Sequence, residues 1–226
     1  MNRFKRTLIV AAMSVMTLSA NAYPWLSPYA YCMNNPVKFV DPDGRVIKLA
    51  PNSTFGFMAN FILSAYYLKI NGCGQHLETL ITSPKVYTIK EQSDVSKGNY
   101  FDHLNQTICW NPYRGIITRF TELSPTTLLN HELDHADLFD SSPEKYENYR
   151  RPYDDNASEQ DRKYENYAEK RAITETEKAT ARALGEIGEN EVTRTEHGDG
   201  TGFKTVGPLS NKNVDEFVLI GGSKDD

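Results

Sequence analysis

The residues with the clearest potential for chemistry are 131–135, His-Glu-Leu-Asp-His, an HExxH pattern. On an α-helix, residues four apart lie on one face, so His131 and His135 can present both imidazoles to one metal ion. Glu132 reaches the same site as a general base rather than as a ligand. Imidazole suits Zn2+, which lowers the pKa of a bound water to about 7, while the carboxylate transfers the proton to the leaving group. The spacing predicts zinc-assisted hydrolysis, with Glu132 as the catalytic residue and His131 and His135 as ligands.

A catalytic zinc needs a third protein ligand and one open coordination position. The metzincin extension would place Gly three residues and His six residues after His135. Leu138 and Ser141 occupy those positions, and the aspzincin pattern GTxxD does not occur in the sequence. A Glu from a later helix, the gluzincin arrangement, is the one that fits.

The later helical stretch offers several acidic side chains for that role: Glu165, Glu169, Glu175 and Glu177. Glu169 shares a helix face with Ala172 and Ile173, so it can point inward with them. Glu165 lies one turn earlier on nearly the same side. The pattern favours Glu169 as the third ligand and keeps Glu165 as its alternative.

Two helices are needed to position these residues. Ser124 and Pro125 are typical of a helix N-cap and first helical residue, and they predict a helix over 126–139 that carries the HExxH pattern. Residues 164–187 are rich in Ala, Glu, Lys and Arg and predict the second helix. The polar stretch 140–163 between them is expected to be a long solvated loop.

The remaining pattern is mixed. The apolar run 55–70 ends at Asn71-Gly72 and predicts a buried helix. Short alternating runs predict strands over 86–90, 106–110, 116–120 and 216–220, whereas 198–208 is rich in turn-forming residues. The fold class expected is therefore α+β.

The amino terminus has the three parts of a secretory signal peptide. Residues 1–6 are basic, residues 7–18 are apolar or small, and Ala20-Asn21-Ala22 provides small residues before a cleavage site. The apolar run is too short to span a bilayer. The sequence therefore predicts a signal peptide over 1–22, cleavage after Ala22, a secreted or periplasmic protein and no stable membrane insertion.

Residues 23–45, YPWLSPYAYCMNNPVKFVDPDGR, follow directly. They closely resemble the end of the Rhs-repeat-associated core, in the form SPYAYCxNNPVxFxDPDG, after which a variable toxin domain begins. The long β-shell of those proteins does not precede the motif here, so the resemblance does not imply encapsulation. It implies that residues 46–226 form a polymorphic-toxin effector domain.

The stretch from about 107 to 208 is similar to zincin-type metallopeptidase toxin domains, among them effectors that cleave signalling kinases. The similarity lies in short blocks: ICWNP at 108–112, the HExxH pattern, AEKRAI at 168–173, and ALGE at 183–186 with Arg194, His197 and Gly198. It implies a zincin-like fold, in which a small twisted β-sheet packs on the HExxH helix and on a second, glutamate-bearing helix. It also implies Glu169 as third ligand, Arg194 near the substrate, and His197 as an oxyanion-stabilising catalytic residue or another zinc ligand.

Composition excludes other functions. The chain has 226 residues and a formal net charge of −5. Removal of the signal peptide, which carries three basic and no acidic residues, changes that charge to −8. An acidic chain without a basic stripe is not expected to bind nucleic acid, which disfavours a nuclease.

Three cysteines, Cys32, Cys73 and Cys109, permit one disulfide in an exported protein. The Cys73–Cys109 pair is the first choice, because Cys32 belongs to the Rhs-like segment. Three small buried thiols are the alternative.

The function expected is that of a secreted bacterial effector or toxin acting as a zinc-dependent endopeptidase. Its partners would be a target-cell protein as substrate and, by resemblance to polymorphic toxins, a cognate immunity protein. The alternative is a non-catalytic, zinc-stabilised binding module or a degenerate toxin remnant.

Overall fold

The architecture is mixed α+β, as expected, in a computed structural model that describes residues 47–94 and 97–214. The strands are β1 (Ile47–Leu49), β2 (Tyr87–Glu91), β3 (Tyr100–Asp102), β4 (Thr107–Trp110), β5 (Arg114–Ile117), β6 (Glu122–Leu123) and β7 (Thr201–Lys204). The helices are α1 (Phe55–Ile70), α2 (Gln75–Thr82), α3 (Pro125–Ser141), α4 (Pro143–Tyr149), α5 (Glu159–Arg162), α6 (Tyr167–Arg171) and α7 (Lys178–Leu184). A π-helical segment, Ala172–Glu177, joins α6 to α7 without a break.

The first sheet has the strand order β1-β2-β4-β3. The β1–β2 and β2–β4 pairs are parallel, whereas β3 runs antiparallel to β4 at the edge. Tyr87 and Ile89 of β2 and Ile108 and Trp110 of β4 are fully buried. They form the main core with Leu129, Leu133 and Ala136 of α3. The sheet therefore packs on the helix that carries the HExxH pattern.

Trp110 fixes the start of α3 relative to the sheet. Its indole N–H donates to the Pro125 carbonyl oxygen at 2.8 Å, within the first turn of the helix. The Phe57 ring of α1 lies 5.9 Å from the Trp110 ring. A buried tryptophan that satisfies its N–H on a helix backbone restricts the position of that helix.

The second sheet has the order β6-β5-β7, with both pairs antiparallel. Gly115 at its centre is required for space, because a Cβ there would lie 2.7 Å from the Phe203 ring and from the Leu123 carbonyl oxygen. Ile116 and Leu123 of this sheet pack with Leu128 of α3 and Ala181 of α7. The second sheet thus borders both site helices.

Several sequence predictions are confirmed. Helix α1 coincides with the predicted 55–70 helix, β2 and β4 match the predicted strands within a residue, and α3 begins at Pro125 with Ser124 as its cap. The expectation of a buried α1 is wrong for much of its surface, since Phe55 and Tyr66 are exposed.

The predicted loop over 140–163 is wrong. Ser142 and Pro143 begin α4, and Ser158 caps the short α5 through the backbone N–H of Asp161. Helix α4 is stable because Tyr146 is buried against Phe139, with ring centroids 5.4 Å apart. A single apolar contact is too weak a periodic signal to reveal such a helix from sequence.

The bounds of two further elements differ from those expected. The second helix begins at Tyr167 rather than at residue 164, because Asn166 caps it, and it ends at Leu184 before Gly185, which has φ of 77°. The strand expected over 116–120 is β5, shifted to Arg114–Ile117, and the turn-rich stretch contains β7.

The expected Cys73–Cys109 disulfide is wrong, since both thiols are free and buried. Cys109 lies opposite Tyr100 in the β3–β4 pair. The Cys73 thiol lies instead near the Asn71 carbonyl oxygen and Thr180. The two sulfurs therefore face different neighbours.

The predicted signal peptide, the Rhs-like segment, Cys32 and the strand expected over 216–220 lie outside the described residues. Within 47–94 and 97–214, none of the helices combines the length and the apolar character needed to cross a bilayer.

Glu186 makes the stability of the fold sensitive to pH. Its carboxylate accepts a hydrogen bond from the Thr127 hydroxyl at 2.8 Å at the start of α3, and burial raises its pKa to about 7. An unfolded Glu loses its proton near pH 4.5, so the folded state retains a proton that the unfolded state has lost. The stability that protonated Glu186 contributes is fully present below pH 4.5 and is lost as the pH rises through about 7.

We expect Glu186→Gln to gain thermal stability relative to wild type as the pH is raised from 5 to 8. Melting temperatures across this range check it, with Glu189→Gln as the exposed control from the same loop. A difference between Glu186→Gln and wild type that does not change with pH would contradict the assignment.

Candidate metal centre

Helix α3 presents an unusually polar sequence to the protein interior. Its N-cap, Ser124, accepts a hydrogen bond from the Thr127 backbone N–H, and Pro125 occupies the first turn. Every residue from Pro125 to Ala136 is buried, including His131, Glu132 and His135. Burying charged or polar side chains is costly unless they are paired or bind a metal, so their presence here requires a partner.

The side chains of His131, His135 and Glu169 are one another's partners. The Nε2 atoms of the two histidines are 3.2 Å apart. Nε2 of His131 lies 3.3 Å from Glu169 Oε2, and Nε2 of His135 lies 3.2 Å from Glu169 Oε1. Three potential donor atoms therefore converge on one point, and they come from two different helices.

The donor set fits Zn2+. Ligands at about 2.0–2.1 Å in a tetrahedron lie about 3.3 Å from one another, close to the separations of these three side chains. Oε2 of Glu169 is buried, and no group in the described part of the chain donates a well-aligned hydrogen bond to it. Two imidazoles and one carboxylate are also the ligand chemistry of catalytic zinc sites that keep an open position.

Glu169 is positioned by the start of α6. The Asn166 side chain accepts a hydrogen bond from the Glu169 backbone N–H at 2.9 Å, which places Glu169 in the first helical turn. Burial opposes ionisation of this carboxyl group, but His135 and His131 outweigh it and lower its pKa below the usual range. Glu169 is therefore a carboxylate, the form that binds metal.

Glu177 supports His131 from the opposite side. Its Oε2 lies 3.2 Å from His131 Nδ1, and it forms an ion pair with Arg194 at 2.7 Å. A carboxylate on the distal nitrogen favours the imidazole tautomer that directs Nε2 at a metal. Burial raises the pKa of Glu177, but Arg194 and His131 lower it to about 2 overall.

The π-helical segment brings Glu169 and Glu177 to the same imidazole. In a regular α-helix, residues eight apart are rotated by about 80° from each other. The wider π turn of Ala172–Glu177 reduces the rotation per residue and aligns both carboxylates with His131. Single π turns inside α-helices are frequently found at functional sites.

We expect Glu177→Gln to lower zinc affinity by about 10–100-fold, because the carboxylate on His131 is lost. It should also destabilise the fold by about 3 kcal/mol, since the buried Arg194 would keep a charge without its partner. Isothermal titration with zinc and denaturant unfolding measure the two effects. The control is Glu175→Gln, an exposed residue of the same π segment, which should change neither.

Asp134, within the HExxH pattern, joins the two site helices on another face. It is fully buried, and its Oδ2 pairs with Arg171 Nη2 of α6 at 2.7 Å. His76 of α2 lies 3.4 Å from the other oxygen of Asp134 and 2.7 Å from Asp137 Oδ2. This network fixes α6, and with it Glu169, against α3.

Glu132 lines a cavity of about 430 Å³. The other lining residues of the candidate site are His131, His135, Glu169, Arg194 and His197. Burial raises the pKa of Glu132, opposed by the two neighbouring histidines. A carboxyl group in this position, next to the metal site, can accept a proton from water and return it to a leaving group.

His197 lies at the rim of this cavity, held by Glu165. Its Nδ1 is 2.9 Å from Glu165 Oε1, and its Nε2 is 3.5 Å from Glu169 Oε2. His131, His135 and Glu169 each offer one ligand atom, and these atoms all lie within 4.8 Å of one another. His197 does not belong to this group. A metal ion held by these three residues would keep a fourth coordination position for water or substrate.

The structure thus brings together His131, Glu132, His135, Glu169, Arg194 and His197 around one cavity. Glu165, the alternative third ligand, lies apart from the donor group and contacts His197 instead. It is exposed and has a φ of 65°, in the left-handed region. Sequence reasoning missed the partnership of Glu177 with His131, because the π segment gives no recognisable signal.

No family model matches this chain, and neither the curated proteins nor the solved structures contain a match to it.

Proposed function

We propose that this protein is a zinc-dependent endopeptidase whose reaction centre is formed by His131, Glu132, His135 and Glu169. The observation that carries the proposal is the convergence of two buried imidazoles and the Glu169 carboxylate, whose two oxygens lie 3.2–3.3 Å from the two Nε2 atoms, beside Glu132 and an open cavity. Zinc, when bound there, would lower the pKa of a water molecule to about 7 and polarise the carbonyl group that is attacked.

Glu132 acts as the general base. It follows His131 on α3 and lines the cavity, so its carboxylate can accept the proton of the attacking water. The same group then gives that proton to the leaving amine. Because Glu132 is adjacent in sequence to a ligand, the helix itself fixes its distance from the reacting atoms.

His197 stabilises the developing negative charge on the substrate oxygen. Nδ1 pairs with Glu165, and the doubly protonated imidazolium carries a second N–H, at Nε2, on the side of the cavity. Arg194 adds positive charge on the same rim, and its position is fixed by Glu177 and by the His197 carbonyl oxygen. Donors aimed at such an oxygen typically contribute about 10²–10³-fold to the rate.

The sheet edge beside the cavity favours an extended peptide as substrate. Strand β3 is the edge of its sheet, and residues 98–101 line the cavity. A substrate segment can pair with this edge as an added strand, which passes an internal peptide bond through the site.

The effector role rests on resemblance. Residues 23–45 resemble the end of an Rhs core, and the blocks around the HExxH pattern resemble toxin metallopeptidases. The substrate is accordingly a protein of a target cell. Residues 1–22 act as the export signal, and an immunity protein protects the producing cell.

The test is identification of new protein N-termini in target-cell extract treated with wild-type protein or with Glu132→Ala. A set of cleavage products that occurs with wild type and is missing with the variant supports the proposal. Identical N-termini in the two samples would reject it.

A further inference from the structure

The wall of the site cavity carries more positive charge than the acidic chain would suggest. Three arginine side chains line it: Arg114, Arg150 and Arg194. In the described part of the chain, the acidic side chains that line it are Glu132 and Glu169, which the reaction itself employs. The net charge of the whole chain is −5, so this concentration of arginines is a local feature.

The three arginines have different tasks. Arg194 donates to both oxygens of Glu177 and to the His197 carbonyl oxygen, so it is a structural member of the metal centre. Arg150 pairs with Glu147 of its own helix at 2.8 Å near the surface. Arg114 projects from β5, is half-buried, and has its guanidinium against a glycine of an adjoining strand.

That adjoining residue is Gly202 of β7. A Cβ at Gly202 would lie 2.8 Å from Arg114 Nη2 and 2.9 Å from Nε. The guanidinium group therefore lies flat against the glycine, in the space that any other side chain would occupy. Gly202 is needed for this close approach and not for an unusual backbone conformation.

The surroundings of Arg114 suit a short acidic side chain. Ile116, two residues along the same strand, and Leu128 of α3 form an apolar wall of the cavity on the same side. Burial, followed by the nearby charge of Arg194, lowers the pKa of Arg114, and a bound anion would relieve both effects. Guanidinium binds carboxylate through paired hydrogen bonds, which makes the contact selective.

We propose that Arg114 binds a carboxylate of the peptide substrate and so selects peptides with an acidic group at one fixed position from the cleaved bond. This inference rests on the proposed peptidase function. The carboxylate has two sources, an Asp or Glu side chain within the peptide or the free carboxyl terminus.

The test begins with digestion of a peptide library by the zinc-loaded wild-type protein. We expect Asp or Glu to be enriched at a single position relative to the cleaved bond. The best peptide is then made with Glu or Gln at that position and with an amidated carboxyl terminus. We expect the Glu peptide to be cleaved with a kcat/KM about 10–100-fold higher than the Gln peptide.

Two variants locate the preference. Arg114→Gln removes the guanidinium, and Gly202→Ala displaces it without changing any charge, so both should reduce the Glu/Gln ratio toward one. Arg151→Gln, an exposed arginine outside the cavity, should keep the wild-type ratio. Zinc content and melting temperature verify that each variant is folded. Anisotropy of the labelled Glu and Gln peptides with zinc-loaded Glu132→Gln gives the same comparison without turnover.

The remaining outcomes either overturn the inference or decide between the two sources of the carboxylate. Cleavage with no acidic position, or a ratio unchanged in Arg114→Gln, rejects it and leaves the peptidase function intact. If Arg150→Gln loses the Glu/Gln preference and Arg114→Gln keeps it, Arg150 is the arginine that binds the carboxylate, and the inference is rejected. Cleavage that requires the free carboxyl terminus keeps Arg114 but identifies the second source. If wild type cleaves no peptide, the proposed function fails and the inference fails with it.

Discussion

Glu132→Gln is expected to lower kcat/KM for peptide hydrolysis by about 10²–10⁴-fold while the protein retains its zinc. Glutamine has nearly the same size and remains polar, but its amide cannot accept a proton from water. The three donor atoms belong to His131, His135 and Glu169, so metal binding should be unaffected.

The measurement is a cleavage assay with metal analysis of the same preparation. Glu144→Gln, an exposed glutamate on α4, is the matched control and should hydrolyse peptides at the wild-type rate. Full activity of Glu132→Gln would remove Glu132 from the mechanism. Loss of zinc from this variant would instead make Glu132 a ligand.

Glu169→Gln and Glu165→Gln should separate the metal ligand from the residue that orients His197. Glu169→Gln replaces an anionic ligand with a neutral amide, and we expect zinc affinity to fall by more than about 100-fold, with activity lost in parallel. Glu165→Gln should retain zinc, because Glu165 contacts His197 rather than the donor group. Its expected effect is a reduction of kcat.

Zinc titration of the two variants makes this comparison directly, since they differ from wild type by the same chemical change four residues apart. Tight zinc binding by Glu169→Gln, together with weak binding by Glu165→Gln, would reverse the roles assigned to the two glutamates. Wild-type zinc affinity in both variants would mean that neither carboxylate binds the metal.

The HExxH helix could be predicted from sequence because its signals are local. Ser124 and Pro125 mark the start of α3, and the four-residue spacing of the histidines determines their common face. Sequence also favoured Glu169 over Glu165, since apolar neighbours at helical spacing indicate which side faces inward. These inferences need only the regular geometry of one helix.

The rest of the site depends on features that sequence does not encode locally. Glu177 reaches His131 because a π segment changes the rotation of the helix, and no propensity scale describes that change. Gly200 precedes strand β7 and Gly202 lies within it, at positions approached closely by the side chains of Ile116 and Arg114, so this stretch of sequence resembles a turn. Helix α4 is held by tertiary contacts of Tyr146 rather than by its own pattern.

Zinc-edge anomalous diffraction from crystals of the full chain grown with zinc is the most direct test of the central claim. We expect one strong peak per chain, between Nε2 of His131, Nε2 of His135 and the Glu169 carboxylate, with His197 outside bonding distance. A peak held by other residues, or none at this position, would contradict it.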